Sequence, residues 1–153
     1  MFHKININYN DIIQNEQILI EFLSKFSDNF SITVLIQKPY SQNPPIYKYC
    51  NQITPYATQF IFEKKDWPVD FLGQLRHQIM IICRCCKESR KELLKMPNLF
   101  ITSDDDVPED ICFYRNDKLW FATVTHEKLS FMQNPTKQDL AFLKEHKIAF
   151  NNI

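Results

Sequence analysis

Three cysteines occupy four consecutive positions, Cys83-Arg84-Cys85-Cys86, inside the run IMIICRCCKESRKELL from Ile79 to Leu94. Thiols this close suit two chemistries. As thiolates they could hold zinc, which asks for about four ligands in tetrahedral array. As a C-x-x-C pair, Cys83 and Cys86 could cycle between dithiol and disulfide. His77 is the nearest upstream imidazole, so the candidate metal set is Cys83, Cys85, Cys86 and His77. Cys50 and Cys112 could join it only through the fold. A thiol- or metal-dependent enzyme built on this cluster, with His77 or His126 as partner, is one functional alternative.

The element that carries the cluster decides between chemistry and packing. The spacing predicts one long helix from about Pro68 to Met96, with Pro68 in its first turn, Asp70 at the positive end of its dipole and Pro97 as its stop. On a wheel of about 100° per residue, Phe71, Leu72, Leu75, Ile79, Ile82, Cys83, Cys86 and Leu93 gather on one side. Cys83 and Cys86 then behave as small buried hydrophobes, and Cys85 at the stripe's edge is left as the surface-reactive thiol. A mid-helix i,i+3 disulfide would have to close a Cβ gap of roughly 5–6 Å to under about 4.5 Å. The motif would also lie about four turns inside the helix, where the dipole no longer lowers a thiol pKa. His77 leaves from the far side. Inward thiols with no metal and no cofactor are the favoured expectation.

The opposite side of that helix carries Arg76, Arg84, Lys87, Arg90, Lys91 and Lys95 against Glu88 and Glu92. From it Arg76, Arg84, Lys87, Lys91 and Lys95 are taken as a partner-binding face for an acidic protein. Competing readings are a solvated face with i,i+4 pairing, or internal pairing with Asp104, Asp105, Asp106, Glu109 and Asp110. Weak single-stranded nucleic-acid binding is a third function class, and the chain as a whole does not favour it. Eighteen basic and eighteen acidic residues cancel, which removes the long-range field that gathers nucleic acid or anionic membrane.

Glycine occurs once, at Gly73. Phosphate-cradling loops need glycines for close backbone approach and positive φ, so common nucleotide-dependent chemistry is excluded, as is the glycine-flanked serine of the hydrolase elbow. SDDDVPED lacks the calcium-loop spacing and its central glycine. His126-Glu127 has no second histidine to complete a zinc-protease helix. FYRNDKLWF lacks the RNA-recognition signature, and its aromatics read as sheet packing. No apolar run resembles a leader or a bilayer span. Five cysteines, an odd number, fit free thiols in a reducing cytoplasm.

With 153 residues, 44% of them apolar, the chain can bury roughly two thirds of its unfolded surface in one domain. Residues 2–9 alternate as a strand, 15–27 repeat at helical spacing with Asp11 or Asn15 as N-cap, and NFSITVLIQK turns to period two. A proline-rich loop with an edge strand at Ile46–Tyr49 leads to the strand ATQFIFEKK. NLFITS reads as a short strand. A three-stranded meander spans Ile111 to Met132, turning at Asn116-Asp117. A last helix runs over 135–146, capped by Asn134 before Pro135 or by a Thr136/Asp139 capping box.

WPVDFLGQLRHQIMIICR, SRKELLKMPN and PEDICFYRNDKLWFATVTHEKLSF resemble a small family of bacterial proteins labelled stage III sporulation protein AH-like. The resemblance implies a bacterial, cytoplasmic protein without an assigned activity and carries over no site residues. The chain lacks the N-terminal membrane anchor expected of a component of the sporulation channel. The expectation is a single α+β domain over residues 1–153. Its antiparallel or mixed sheet has about five to seven strands, with the long helix laid across it and two flanking helices. The expected function is a non-enzymatic protein-binding or regulatory module, immunity-like in kind.

Overall fold

The computed structural model describes residues 3–36, 51–64, 77–95 and 109–153. Their strands are β1 (Lys4–Ile7), β2 (Asn29–Ile36), β3 (Ala57–Lys64), β4 (His77–Arg84), β5 (Glu109–Arg115), β6 (Lys118–Val124), β7 (Leu129–Gln133) and β8 (Phe150–Asn152). All eight join one sheet in the order β3-β4-β2-β5-β6-β7-β1-β8, every neighbouring pair antiparallel. The described helices are α1 (Tyr9–Gln14), α2 (Glu16–Lys25), α3 (Lys87–Leu94) and α4 (Lys137–Glu145). The architecture is α+β, with more strands than expected because His77–Arg84, expected to be helical, and the three residues Phe150–Asn152 both join the sheet.

The strand register sorts side chains onto two faces, since successive residues alternate. Ile81 and Cys83 of β4 stand opposite Ile32 and Phe30 of β2. Phe30 meets Phe113, Phe113 meets Phe121, Phe121 meets Met132, and Met132 meets Ile5. This row is buried together with Ile12, Leu19, Leu23, Leu93 and Leu143 from the helices, so the helices cover this face. Phe22 of α2 stacks on Phe142 of α4 at 3.8 Å and 10°, tying the two helices together. The opposite face carries the row Ile82, Ser31, Cys112, Ala122 and Phe131.

Several local expectations match. Asn116 and Asp117 both take positive φ, as a two-residue hairpin turn demands. Thr136 and Asp139 form the capping box at α4. Asn15, one of the two expected caps, is the N-cap position of α2, though its side chain donates to Asp11 O at 2.8 Å instead of capping, and Asn8 caps the preceding α1 by accepting from Asp11 N–H at 3.1 Å. The helix expected over 15–27 is preceded by the separate turn-and-a-half of α1, with Asn15 at the junction.

The long helix is overturned. Residues His77–Arg84 are a strand between β2 and β3, and within the described part of the expected helix only Lys87–Leu94 are helical. The wheel gathered apolar residues because IMIIC is apolar throughout, a run that suits a central strand equally well. Ile79, Ile81 and Ile82 are β-branched and fit a pleated surface better than a helix. Ile79, Ile82 and Cys86 therefore do not share one helical stripe. Ile81 and Cys83 face the core, while Ile82 faces the other side. Most of the proline-rich loop with its Ile46–Tyr49 strand, the 68–76 segment, NLFITS and most of SDDDVPED lie outside the described residues.

Candidate functional site

The cysteine cluster sits where β4 ends and α3 begins, and each thiol has a different environment. Cys83 is fully buried among core side chains, and its Sγ lies 3.9 Å from the carbonyl of Ile53. Cys85 leaves the strand with its N–H donating to Asp28 O at 2.9 Å. Its side chain packs against the core edge, and burial, partly countered by Arg90, pushes its pKa up to about 12. The alternative of a surface-reactive Cys85 is thus disfavoured, since burial holds the thiol protonated.

Cys86 is the N-cap of α3, not a residue four turns inside a helix. Its extended backbone turns Sγ toward the first helical turn, where it accepts from Ser89 N–H at 3.5 Å. Cys86 N–H donates in return to Ser89 Oγ at 2.9 Å, and Ser89 Oγ reaches Arg84 O at 2.8 Å. Desolvation raises the Cys86 pKa, but hydrogen bonds from the Ser89 side chain and backbone outweigh it, and the net shift is downward. Wheel geometry missed this because a cap exists only once the helix start is known. The signal was present in C-K-E-S, a capping-box spacing with serine at the third helical position.

Among the described residues no three His, Cys, Asp or Glu side chains converge as a metal-binding group. His77 lies at the far end of β4, paired with Ile36, rather than beside the thiols. Cys112 is on the face opposite the helices, in register with Ser31 and Ala122, and burial pushes its pKa up to about 11. Cys83, Cys85, Cys86 and Cys112 are all free thiols.

The basic stripe is split by the same change of element. Arg76 lies outside the described residues. Arg84 is exposed at the end of β4, in register with Asn29 and Tyr114 on the face opposite the helices. Lys87 and Lys91 remain on α3 with Lys95 at its C-cap, at i,i+4 spacing and all exposed, because Ser89 and Leu93 take the buried side. Lys95 pairs with Glu92 at 3.0 Å. Arg84, Lys87 and Lys91 form no ion pair with a described carboxylate. Glu88 stays ionised below its usual range, helped first by its own backbone N–H, then by the Cys86 thiol and by Lys87 and Lys91. Arg90 is not part of this surface, since its Nε donates to Ser24 Oγ of α2 at 2.9 Å.

An open groove of about 310 Å³ lies on the face opposite the helices beside Arg84, lined by Asn29, Thr58, Gln59, Ile82, Tyr114 and Asp117. Tyr114 is anchored by a 3.0 Å hydrogen bond between its hydroxyl and Ser31 Oγ. Asp28 closes the end of the sheet: its carboxylate accepts from Asn116 N–H at 2.6 Å and its N–H donates to Tyr114 O.

Compared with protein-family models, with curated proteins and with solved structures, the chain matches none. Among the described residues no helix is long and apolar enough to cross a membrane.

Proposed function

We propose that this protein is a non-enzymatic protein-binding or regulatory module that docks an acidic partner on the outward side of α3. One observation carries the reading: Lys87 and Lys91 stand one turn apart, exposed, with no described carboxylate pairing either. Like charges at this spacing cost a few tenths of a kcal/mol in an isolated helix, a cost that an acidic partner removes. Lys95 contributes less, being paired with Glu92. Four free thiols suit a reducing, cytoplasmic setting, and an immunity-like or regulatory role fits a small domain without a nucleotide loop. The double variant Lys87→Glu/Lys91→Glu tests it. A crosslinked partner recovered with wild type in low salt should be lost with the variant, and equal recovery sinks the interface.

A second reading has the Cys86 cap in its favour. A thiol at a helix N-cap with a lowered pKa is the geometry that thiol chemistry uses, and the stated objection to a redox role, depth within a helix, no longer applies. Cys86 rather than Cys85 would be the nucleophile. Native-state alkylation with iodoacetamide at neutral pH decides it: Cys86 should label first, and labelling no faster than a free cysteine leaves it a structural cap.

A further inference from the structure

β3 ends the sheet, and among the described residues no strand pairs with its outer edge. An edge strand leaves a row of main-chain N–H and C=O groups unpaired, a template for another strand that proteins blunt by shortness, bulges, charge or cover. β3 is eight residues long, and its pairing with β4 is irregular only at its start, between Ala57 and Gln59. There Thr58 Oγ1 donates to Ile82 O at 3.3 Å. Past that point Gln59 is exposed and Phe60 is 59% exposed.

The two sides of this edge differ. Phe60 is in register with buried Ile81, so it lies on the helix-covered side at the rim. Gln59 is in register with Ile82 on the side opposite the helices, and both line the groove with Thr58 and Tyr114. A strand added outside β3 would alternate its side chains between the Phe60 ring and the groove. Arg84 follows Cys83, which pairs with Ala57, so an exposed cation flanks the start of the edge. Asp117 faces the groove from the β5–β6 turn, which confines a favourable carboxylate to the Arg84 side.

We propose that the outer edge of β3 takes an extended segment of a partner protein as an added strand, with an acidic side chain where that segment passes Arg84. The inference rests on the protein-binding reading and adds a main-chain docking edge to it.

Fluorescein-labelled peptides of about eight residues, alternating valine with glutamate or valine with lysine, probe the edge by anisotropy against the full chain. The glutamate peptide should bind saturably, and the lysine peptide about tenfold more weakly. Phe60→Glu and Arg84→Glu should each weaken the glutamate peptide about tenfold. Amide exchange of residues 57–61 in wild type should slow on binding, a readout independent of any variant's folding. Equal binding to Phe60→Glu that melts like wild type, protection elsewhere, or no binding at all overturns the docking edge. Loss of binding in Lys87→Glu/Lys91→Glu with Phe60→Glu unaffected overturns it while leaving the α3 interface standing. A dimer abolished by Phe60→Glu would make a second copy the occupant and overturn it too.

Discussion

Helices α3 and α4 begin with the same reciprocal pair of hydrogen bonds, made from different atoms. At α4, Thr136 Oγ1 accepts from Asp139 N–H at 3.2 Å and Thr136 N–H donates to the Asp139 carboxylate at 2.7 Å. At α3, Cys86 Sγ accepts from Ser89 N–H at 3.5 Å and Cys86 N–H donates to Ser89 Oγ at 2.9 Å. The difference lies in what stands behind the third residue. Asp139, 1% exposed, receives both terminal nitrogens of Arg115 at 3.2 Å. Arg115 also donates Nε to Phe26 O at 3.0 Å and lies 3.4 Å over the Trp120 ring. Four elements, α4, β5, β6 and the end of α2, thus meet at one charge pair whose carboxylate is buried and whose guanidinium is a quarter exposed. Ser89 is as buried as Asp139 but neutral, and it serves only Arg84, Cys86 and its own turn. Equal local grammar gives a rigid lock at one helix and a lightly held start, with a part-exposed thiol, at the other.

Asp139→Ala would break this contrast most severely, costing about 3 kcal/mol in urea unfolding because it strands the Arg115 guanidinium and removes half the box. Asp139→Asn should recover part of that, as an amide oxygen still accepts from Thr136. A loss of under about 1 kcal/mol would mean water satisfies Arg115 and the lock is weaker than its geometry. Ser89→Ala comes next, at about 1–2 kcal/mol, since it leaves Arg84 O and Cys86 N–H without their buried partner. The caps themselves should separate further: Thr136→Ala costs about 1 kcal/mol, Cys86→Ala under about 0.5, and Cys86→Asp stabilises. Equal costs at both caps would erase the difference in acceptor strength.

The smallest effect at neutral pH grows only in alkali. Burial first, for both Cys85 and Cys112, makes the folded protein hold these thiol protons more tightly than the unfolded chain. That contribution is complete below the ordinary value of 9.0 and is lost as pH rises toward about 11 for Cys112 and about 12 for Cys85. The urea midpoint should therefore fall as pH rises above 9.0, and Cys112→Ala should flatten the fall. Cys86 runs the other way, its contribution present above its ordinary value and lost as pH falls through the lowered one.

Trp120 shows why alternation alone misplaces residues. The β5–β6 register shifts between Phe113 and Tyr114, so Trp120 is the extra residue, and Trp120 and Phe121 are buried consecutively. Asp110 takes positive φ at the β2–β5 irregularity, where its N–H and carboxylate pair reciprocally with Thr125 at 2.9 and 2.8 Å. A bulge depends on its partner strand, so nothing in β5 alone announces it. The candidate site was legible in part: Cys83 is buried as expected, though from a strand, whereas Cys86 needed the true helix start to be seen.

Where the deciding contact is a few residues away, the amino-acid order alone sufficed. Asn116-Asp117 turn because both side chains tolerate positive φ, Thr136 starts a helix with Asp139 three places on, and ATQFIFEK extends because aromatic and branched residues crowd a helix. Where the deciding contact is distant, only the folded chain settled the outcome. IMIIC became a strand because β2 and β3 supply hydrogen-bonding edges on both its sides, and β1 found a place because β7 and β8, from the far end of the chain, flank it. A main-chain amide must be satisfied wherever it is buried, and whether its partner is four residues along or a strand brought in from elsewhere is a property of the assembled sheet.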